Sequence, residues 1–275
     1  MPRVNGWARV RGLRWAGLLL VVLAWEAVAW ALKGMTRFAD VILPTWESVF
    51  GTALPGLGLF WQGVGGGQPS YALALHVLLD NSVATVSRLL LGTTSGIVFG
   101  VGLGLLIGWS RGVRDLVWPS IQLARPVPTL ALIPLFMLWF GGREIGTWLY
   151  ITWATFSMMV VYTVEAVRNV SPTLLDYART LGASRVQAYR TVILPAVVPA
   201  LIGGVRVCLG VAWAIVLAAE YLGAQSGLGR ILILSQMFFD TGRMVIIVLL
   251  FVAYAMLLNA VVTRILYRAT RWVPA

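Results

Sequence analysis

Asp176-Tyr177-Ala178-Arg179-Thr180-Leu181-Gly182-Ala183-Ser184-Arg185-Val186-Gln187-Ala188-Tyr189-Arg190-Thr191-Val192-Ile193-Leu194-Pro195 is a polar interruption between two long apolar segments, and its punctuation is helical. Just upstream, Ser171 followed by Pro172 is an N-cap and first-turn pair. Leu174, Leu175, Ala178 and Leu181 then recur at helical spacing until Gly182 supplies a stop. Ser184 with Gln187 three residues later has the capping-box pattern. Val186, Tyr189, Val192 and Ile193 share one face beyond it, until Leu194-Pro195 closes the run. The stretch predicts a short helix, a sharp glycine turn and a second helix.

What flanks the stretch sets the class of protein. Of 275 residues 59% are hydrophobic and 11% charged, where a soluble protein carries roughly 25% charged residues. Several membrane spans of about 20 residues each absorb that much apolar surface. Six are expected, at about 13–32, within 71–109, and at 127–141, 147–164, 196–219 and 244–266. The stretch 71–109 exceeds one membrane thickness, so its first part reads as an interfacial helix. Pro128 and Pro134 make the third span short or kinked. The segment 33–70, with its glycine tract around Gly65-Gly66-Gly67, reads as a flexible loop, and 221–243 as a segment that dips into the membrane without crossing. Arg3, Arg9, Arg11 and Arg14 ahead of the first apolar run also fit a signal peptide. The run's length, Glu26 within it and the lack of a small-residue cleavage site favour a retained span.

The net charge of +11 is an orientation signal. With alternating spans, Arg3, Arg9, Arg11, Arg14, Arg111, Arg114, Arg125, Arg168, Arg179, Arg185, Arg190, Arg264, Arg268 and Arg271 fall on one side. Lys33, Arg37, Arg143, Arg230 and Arg243 fall on the other, and Arg88 and Arg206 lie inside spans. The richer side is cytoplasmic, which places both termini and the 165–195 stretch there. A nucleic-acid partner is thereby disfavoured, because the basic residues are dispersed along membrane edges.

The stretch resembles the coupling motif of permeases of ATP-binding-cassette importers: Glu-Ala-Ala, three residues, Gly, nine residues, Ile, any residue, Leu-Pro. Asp176, Ala178, Gly182, Val192, Leu194 and Pro195 stand in that register, with Asp for Glu, Val for Ile, and Tyr177 in place of the first Ala. Leu43-Pro44, Ser87-Arg88, Arg125-Pro126-Val127-Pro128, Leu138-Trp139-Phe140-Gly141, Gly204-Val205-Arg206, Ala219-Glu220 and Ser226-Gly227-Leu228-Gly229 resemble, in this order, the permeases for aliphatic sulfonates, taurine and nitrate. These patterns are shared with transporters of pyrimidine precursors. The expected fold is an all-α polytopic membrane protein of about six transmembrane helices with a cytoplasmic helix-turn-helix coupling loop. It forms one permease domain over 1–275, with the first span and outer loop at 1–70, the core at 71–275 and the coupling loop at 165–195.

That resemblance implies a set of partners: two cytoplasmic ATPase subunits, a second and identical permease chain, an extracytoplasmic solute-binding protein, and the lipid of a bacterial inner membrane. Asp176, Tyr177, Ala178, Gly182, Ala183, Ser184, Arg185, Val192, Leu194 and Pro195 are the expected ATPase-coupling residues. ATP and magnesium would be bound by the ATPase, since the single lysine, Lys33, is not part of a phosphate-cradling Gly-Lys-Ser/Thr loop. No cofactor is expected in this chain. One cysteine, Cys208, and one histidine, His76, supply neither a disulfide framework nor a metal-ligand cluster, and no nucleophile has a base beside it. Intramembrane charge is costly, so Arg206, Arg88 and Glu220 are the candidates for the solute path, each with a structural role as the alternative. An ion-coupled secondary transporter is the rival class, and neither an inverted repeat nor a membrane-centred acidic pair supports it. A membrane enzyme is a weaker rival.

Overall fold

The computed structural model describes residues 6–141 and 144–269, and every regular element among them is helical. In chain order these are α1 (Gly6–Met35), α2 (Ala39–Ile42), α3 (Trp46–Ser48), α4 (Leu54–Gly56), α5 (Tyr71–Trp109), α6 (Arg111–Ala124) and α7 (Ile133–Phe140). They continue with α8 (Glu144–Arg168), α9 (Pro172–Thr180), α10 (Arg185–Ala188), α11 (Leu194–Gly223), α12 (Leu228–Met237) and α13 (Thr241–Ala269). The contacts form two compact units, residues up to 79 with 231–249, and 80–230 with the residues from 250. Arg3, Arg143 and Arg271, used above to set the orientation, lie outside the described residues.

In the first unit, the segment expected to be a flexible loop is built from α2, α3, a π turn over Val49–Ala53, α4 and a 3-10 turn over Leu57–Phe60. The tryptophans give the physical reason. Trp25 of α1 donates its indole N–H to the Pro44 carbonyl at 2.9 Å, and its ring lies 5.6 Å from that of Trp46. Glu26 accepts the Trp46 backbone N–H at 3.0 Å and the Trp30 indole at 2.9 Å. The acid inside the first apolar run thus has partners, as burial of a charge in an apolar helix requires. Thr45 caps α3 by accepting from the Ser48 N–H.

In the second unit, glycines set how closely α5 and α8 approach. Gly92, Gly96, Gly100, Gly104 and Gly108 recur every fourth residue on α5 and meet Ile151, Thr155, Met159, Thr163 and Val167, spaced likewise on α8. A side chain at Gly96 would put its Cβ 2.7 Å from the Thr152 carbonyl oxygen and 2.8 Å from the Phe156 nitrogen, both backbone atoms that cannot swing aside. Small residues at helix contacts let backbones come this close, which is how membrane helices associate without a hydrophobic drive between them. Gly102 faces open space, so only part of the glycine cluster serves the contact. The core beside this seam joins Leu89 of α5, Ile133 of α7, Tyr150, Ile151 and Ala154 of α8, and Ala212, Ile215, Val216 and Ala219 of α11.

Among the described residues, four helices are long and apolar enough to cross a membrane alone: α5, α8, the run Arg185–Tyr221 and α13. A fifth is counted if α6 and Thr129–Phe140, bent by 91°, make one span. The six expected from the sequence also need α1. The third expected span is a 3-10 turn followed by the eight residues of α7, about 12 Å of helix against the roughly 30 Å of hydrocarbon it would have to cross. Pro126 and Pro128 account for the break before it, since each lacks an N–H and restricts the residue ahead of it. α5 is one helix of 39 residues, not a pair.

The seam yields a paired expectation. Gly96→Leu, overpacking against backbone, should lower the thermal unfolding midpoint of the detergent-purified protein or abolish its accumulation, at a cost of about 3 kcal/mol or more. Gly102→Ala should hold or raise the midpoint, because a helical alanine in open space gains about 0.5–1 kcal/mol over glycine. Equal effects of the two would remove the seam assignment.

Candidate functional site

The interruption at 165–195 folds as helix, glycine turn, helix. α9 ends at Thr180, and Gly182 follows at φ +80°, a left-handed conformation that favours glycine. The Ala183 N–H bonds the Ala178 carbonyl and the Gly182 N–H bonds the Arg179 carbonyl, each at 2.9 Å. This is the Schellman pattern, which ties off the last carbonyls of α9 and leaves the turn little freedom. Ser184 then starts α10: its hydroxyl accepts the Gln187 N–H while Gln187 Oε1 accepts the Ser184 N–H at 2.8 Å. Ser171, expected to cap α9, makes no side-chain cap bond there.

Leu194-Pro195 does not close the second helix. Residues Tyr189–Ile193 form a π turn, and the Leu194 N–H reaches back to the Tyr189 carbonyl, so α10 runs into α11 without a break. Pro195 follows directly on the π turn, where the regular ladder of helix hydrogen bonds is already interrupted and a residue without an N–H is tolerated. The base of the loop is fixed to the end of α5. Arg185 donates to the Trp109 carbonyl at 2.5 Å with its guanidinium 4.9 Å from the Trp109 ring. The Tyr189 hydroxyl donates to the Leu105 carbonyl at 2.7 Å. Arg185, one of the expected coupling residues, is thus also an anchor within its own chain, with Trp109 as its partner. A cavity of about 300 Å³ lies beneath the loop, between Trp109, Leu175, Arg179 and Tyr189.

The tip of the loop is apolar and uncovered. Leu181 is 87% exposed and Tyr177 67%, with Leu174 and Val186 also exposed beside them. Asp176 and Arg179 make an exposed ion pair at 3.2 Å, of the kind worth little in water. Ala178 and Ala183 are half-buried at the turn, and Val192, Leu194 and Pro195 are half-buried at the start of the long helix.

Two of the intramembrane charges are engaged with each other. Arg88 is 4% exposed and Glu220 1% exposed. All five N–H donors of the guanidinium have acceptors. One Nη1 proton goes to Glu220 Oε1 at 2.8 Å and the other to the Ser226 carbonyl at 2.6 Å. Nη2 donates to the Ser226 hydroxyl at 2.6 Å and to Glu144 Oε1, and Nε donates to Glu144 Oε2 at 2.6 Å. Glu220 Oε2 also accepts from the Thr85 hydroxyl at 2.8 Å and from the Gly229 N–H at 3.0 Å, in the first turn of α12. A side chain at Gly227, at φ +113°, would run into the Glu220 carboxylate. No donor of Arg88 is left for a solute, so Arg88 and Glu220 hold α5, α8, α11 and the 225–229 turn together and leave the list of path candidates. Glu144 and Ser226 complete the cluster. No periodic signal marks Glu144, whose role depends on where the start of α8 lies in space.

Arg206 is different. It lies mid-way along α11 on an exposed stripe with Ala200, Gly203, Val207, Gly210, Val211 and Ala214. A Cβ added at Gly203 or Gly210 meets nothing within 4 Å. The Arg206 side chain has no partner among the described residues.

Residues 96–273 match the family of binding-protein-dependent transport system inner membrane components. A protein of Brucella melitensis named a probable ABC transporter permease is 40% identical over 163 residues, 59% of this chain and 66% of the relative. The taurine transport system permease protein TauC of Escherichia coli is 38% identical over 152 residues, 55% of each chain. A Bacillus subtilis protein named "Putative aliphatic sulfonates transport permease protein SsuC" is 32% identical over 188 residues, 68% of each chain. The chain spans about two thirds of the length of the first curated relatives it matches. The permease fold of the MetNI methionine ABC transporter, facing inward, superposes with a TM-score of 0.58 at 20% identity, over 70% of this chain and 95% of that one.

The Arg88 cluster carries its own expectation. Arg88→Met strands the buried Glu220 carboxylate and should destabilise the purified protein by about 3 kcal/mol or more in chemical denaturation. Glu144→Gln, at a side chain 68% exposed, should cost about 1 kcal/mol or less. A near-neutral Arg88→Met would show that the cluster does not hold these helices.

Proposed function

This chain belongs to the family of binding-protein-dependent transport system inner membrane components, and on that premise we propose that it forms, with a second copy of itself, the path of an ABC importer for small sulfonates. It is a multi-pass permease and not itself an ATPase. Each copy presents its 165–195 loop on the cytoplasmic side to an ATPase subunit, which binds ATP and magnesium. A solute-binding protein on the opposite side delivers the cargo.

The observation that carries this reading is the exposed apolar tip on a rigid turn. Tyr177 and Leu181 stand out into solvent next to the Schellman turn at Gly182, and exposed apolar patches of this kind mark protein contacts. Such a tip fits a groove on another protein, and its stiffness suits it to transmit force. The continuous helix from Arg185 to Tyr221 then couples a push on the loop to the middle of the membrane. The excess of Lys and Arg on the loop side supports the cytoplasmic orientation.

The substrate class rests on the names of the relatives TauC and SsuC and on Arg206. A mid-span cation on an open face is too costly to leave against lipid. It belongs on a surface facing water and the second chain, where a fixed positive charge offsets part of the desolvation of a passing sulfonate. Ala200, Gly203, Gly210 and Ala214 on the same stripe keep that face narrow.

Two measurements bear on the reading. Leu181→Asp and Gly182→Asp should leave the chain in the membrane and reduce co-purification of the ATPase at least about tenfold, since each places charge or strain at the tip of a desolvated contact. Undiminished co-purification in both would remove the loop from the ATPase interface. Arg206→Gln should lower the uptake rate of taurine or alkanesulfonates about tenfold with the complex intact. Uptake that is insensitive to Arg206 in charge and size would take it off the path.

A further inference from the structure

A cavity of about 420 Å³ lies against α8, between the end of α6 and the 3-10 turn at Thr129–Leu132. That volume is within the range of small-molecule pockets. Trp153 and Phe156, their ring centroids 5.9 Å apart, wall its inner part. Tyr162 also lines it and is held from behind, because Gly204 of α11 packs on Tyr162 with only 3.2 Å from an added Cβ to the Tyr162 Cβ.

The cavity also holds one cation and one anion. Arg125 and Glu165 both line it. Their side chains pair neither with each other within 4.0 Å nor with any other described residue. Both backbones are fixed in place. The Arg125 N–H bonds the Ile121 carbonyl at 3.0 Å at the end of α6, and Pro126 follows at once. Glu165 is in the last turn of α8, where its carbonyl accepts the Asn169 N–H at 3.0 Å. α6 is itself seated on the buried cluster of Ile107, Val160 and Val164 through Val113, Val117, Trp118 and Ile121. Two exposed opposite charges that do not pair with each other are therefore carried by packed helices at one cavity with apolar walls.

We propose that this cavity binds a small zwitterion of the aminosulfonate class, with Arg125 taking the anionic group and Glu165 the ammonium. This deepens the permease reading and rests on it. A simple anion would gain Arg125 and meet the repulsion of Glu165, and a simple cation would meet the reverse. Only a solute carrying both charges a few bonds apart gains from both residues, and guanidinium is suited to a tetrahedral oxyanion through its forked donors. Glu165 lies three residues before Arg168, the last residue of α8, so the charged end of the cavity is at the loop end of the span. A solute that has passed the middle of the membrane would be held there before release.

The site can be tested on the purified permease with its ATPase, without the solute-binding protein, by ligand titration followed by thermal shift and calorimetry. Taurine should bind at least about tenfold more tightly than ethanesulfonate, which lacks the ammonium, or ethanolamine, which lacks the anion, because each charge-assisted contact is worth about that factor or more. Glu165→Gln should bring taurine and ethanesulfonate within about twofold of each other, and Arg125→Gln should weaken both about tenfold. Glu165→Asp and Arg125→Lys, which keep the charges, should retain the preference for taurine and control for folding. No preference for taurine over the single-charge probes, or a preference unchanged in both Gln variants, would overturn the proposal even if sulfonate uptake is found. β-Alanine binding with the same dependence on Glu165 and Arg125, and no taurine binding, would uphold the zwitterion site and reject sulfonate as the substrate.

Discussion

A guanidinium buried among apolar helices must have an acceptor for every N–H, and Arg88 meets that requirement only by drawing together four separate segments. Glu220 comes from the end of α11, Glu144 from the start of α8, Ser226 from the turn before α12, and Arg88 itself from α5. Removing Arg88 or Glu220 leaves the other charge buried without its partner, a heavily penalised state, whereas the exposed Glu144 and the uncharged Ser226 complete the set of acceptors. The cluster therefore fixes one end of the three long helices of this unit. The glycine seam between α5 and α8 fixes their spacing along the rest of their length. The two constraints are complementary, since the first sets register and the second sets distance.

The opposite end of these helices carries the loop, which is fastened at its base. Arg185 and Tyr189 fasten the loop's second helix to Trp109 and Leu105 at the end of α5. The π turn at Tyr189–Ile193 continues that helix into α11. From Arg185 the chain runs through Leu194-Pro195 into α11 without leaving helix, and Gly204 there packs on Tyr162, which lines the cavity between α6 and α8. In the proposed importer this path would join the loop to the place where solute passes.

The charges separate by what surrounds them. Arg88 and Glu220 are closed off by each other, whereas Arg206 within its span, and Arg125 and Glu165 at the cavity, have no partner among the described residues. The free charges are the ones available to a solute or to a second chain.

The helix-turn-helix of the loop was readable from local chemistry alone. Gly182 is required by a left-handed turn and the Ser184/Gln187 box by unsatisfied N–H groups, and both act over four residues or fewer. The all-helical membrane class followed from composition and the long apolar runs for the same reason, because a span's hydrogen bonds are internal to it. What the sequence misjudged depends on distant partners. The segment around Pro44 and Trp46, expected to be a flexible loop, is tied to α1 by the indoles of Trp25 and Trp46, and the closing role given to Leu194-Pro195 yielded to a π turn, whereas the short, kinked third span was readable from its prolines. The roles of Arg88, Glu220 and Arg206 could not be divided from sequence, since all three read alike as charges in apolar helices. Only the tertiary structure, by placing Glu144 and Ser226 beside Arg88 and leaving Arg206 bare, decided which charges are structural and which are free. The physical reason is that a buried charge is defined by its acceptors, and these lie up to 138 residues away along the chain.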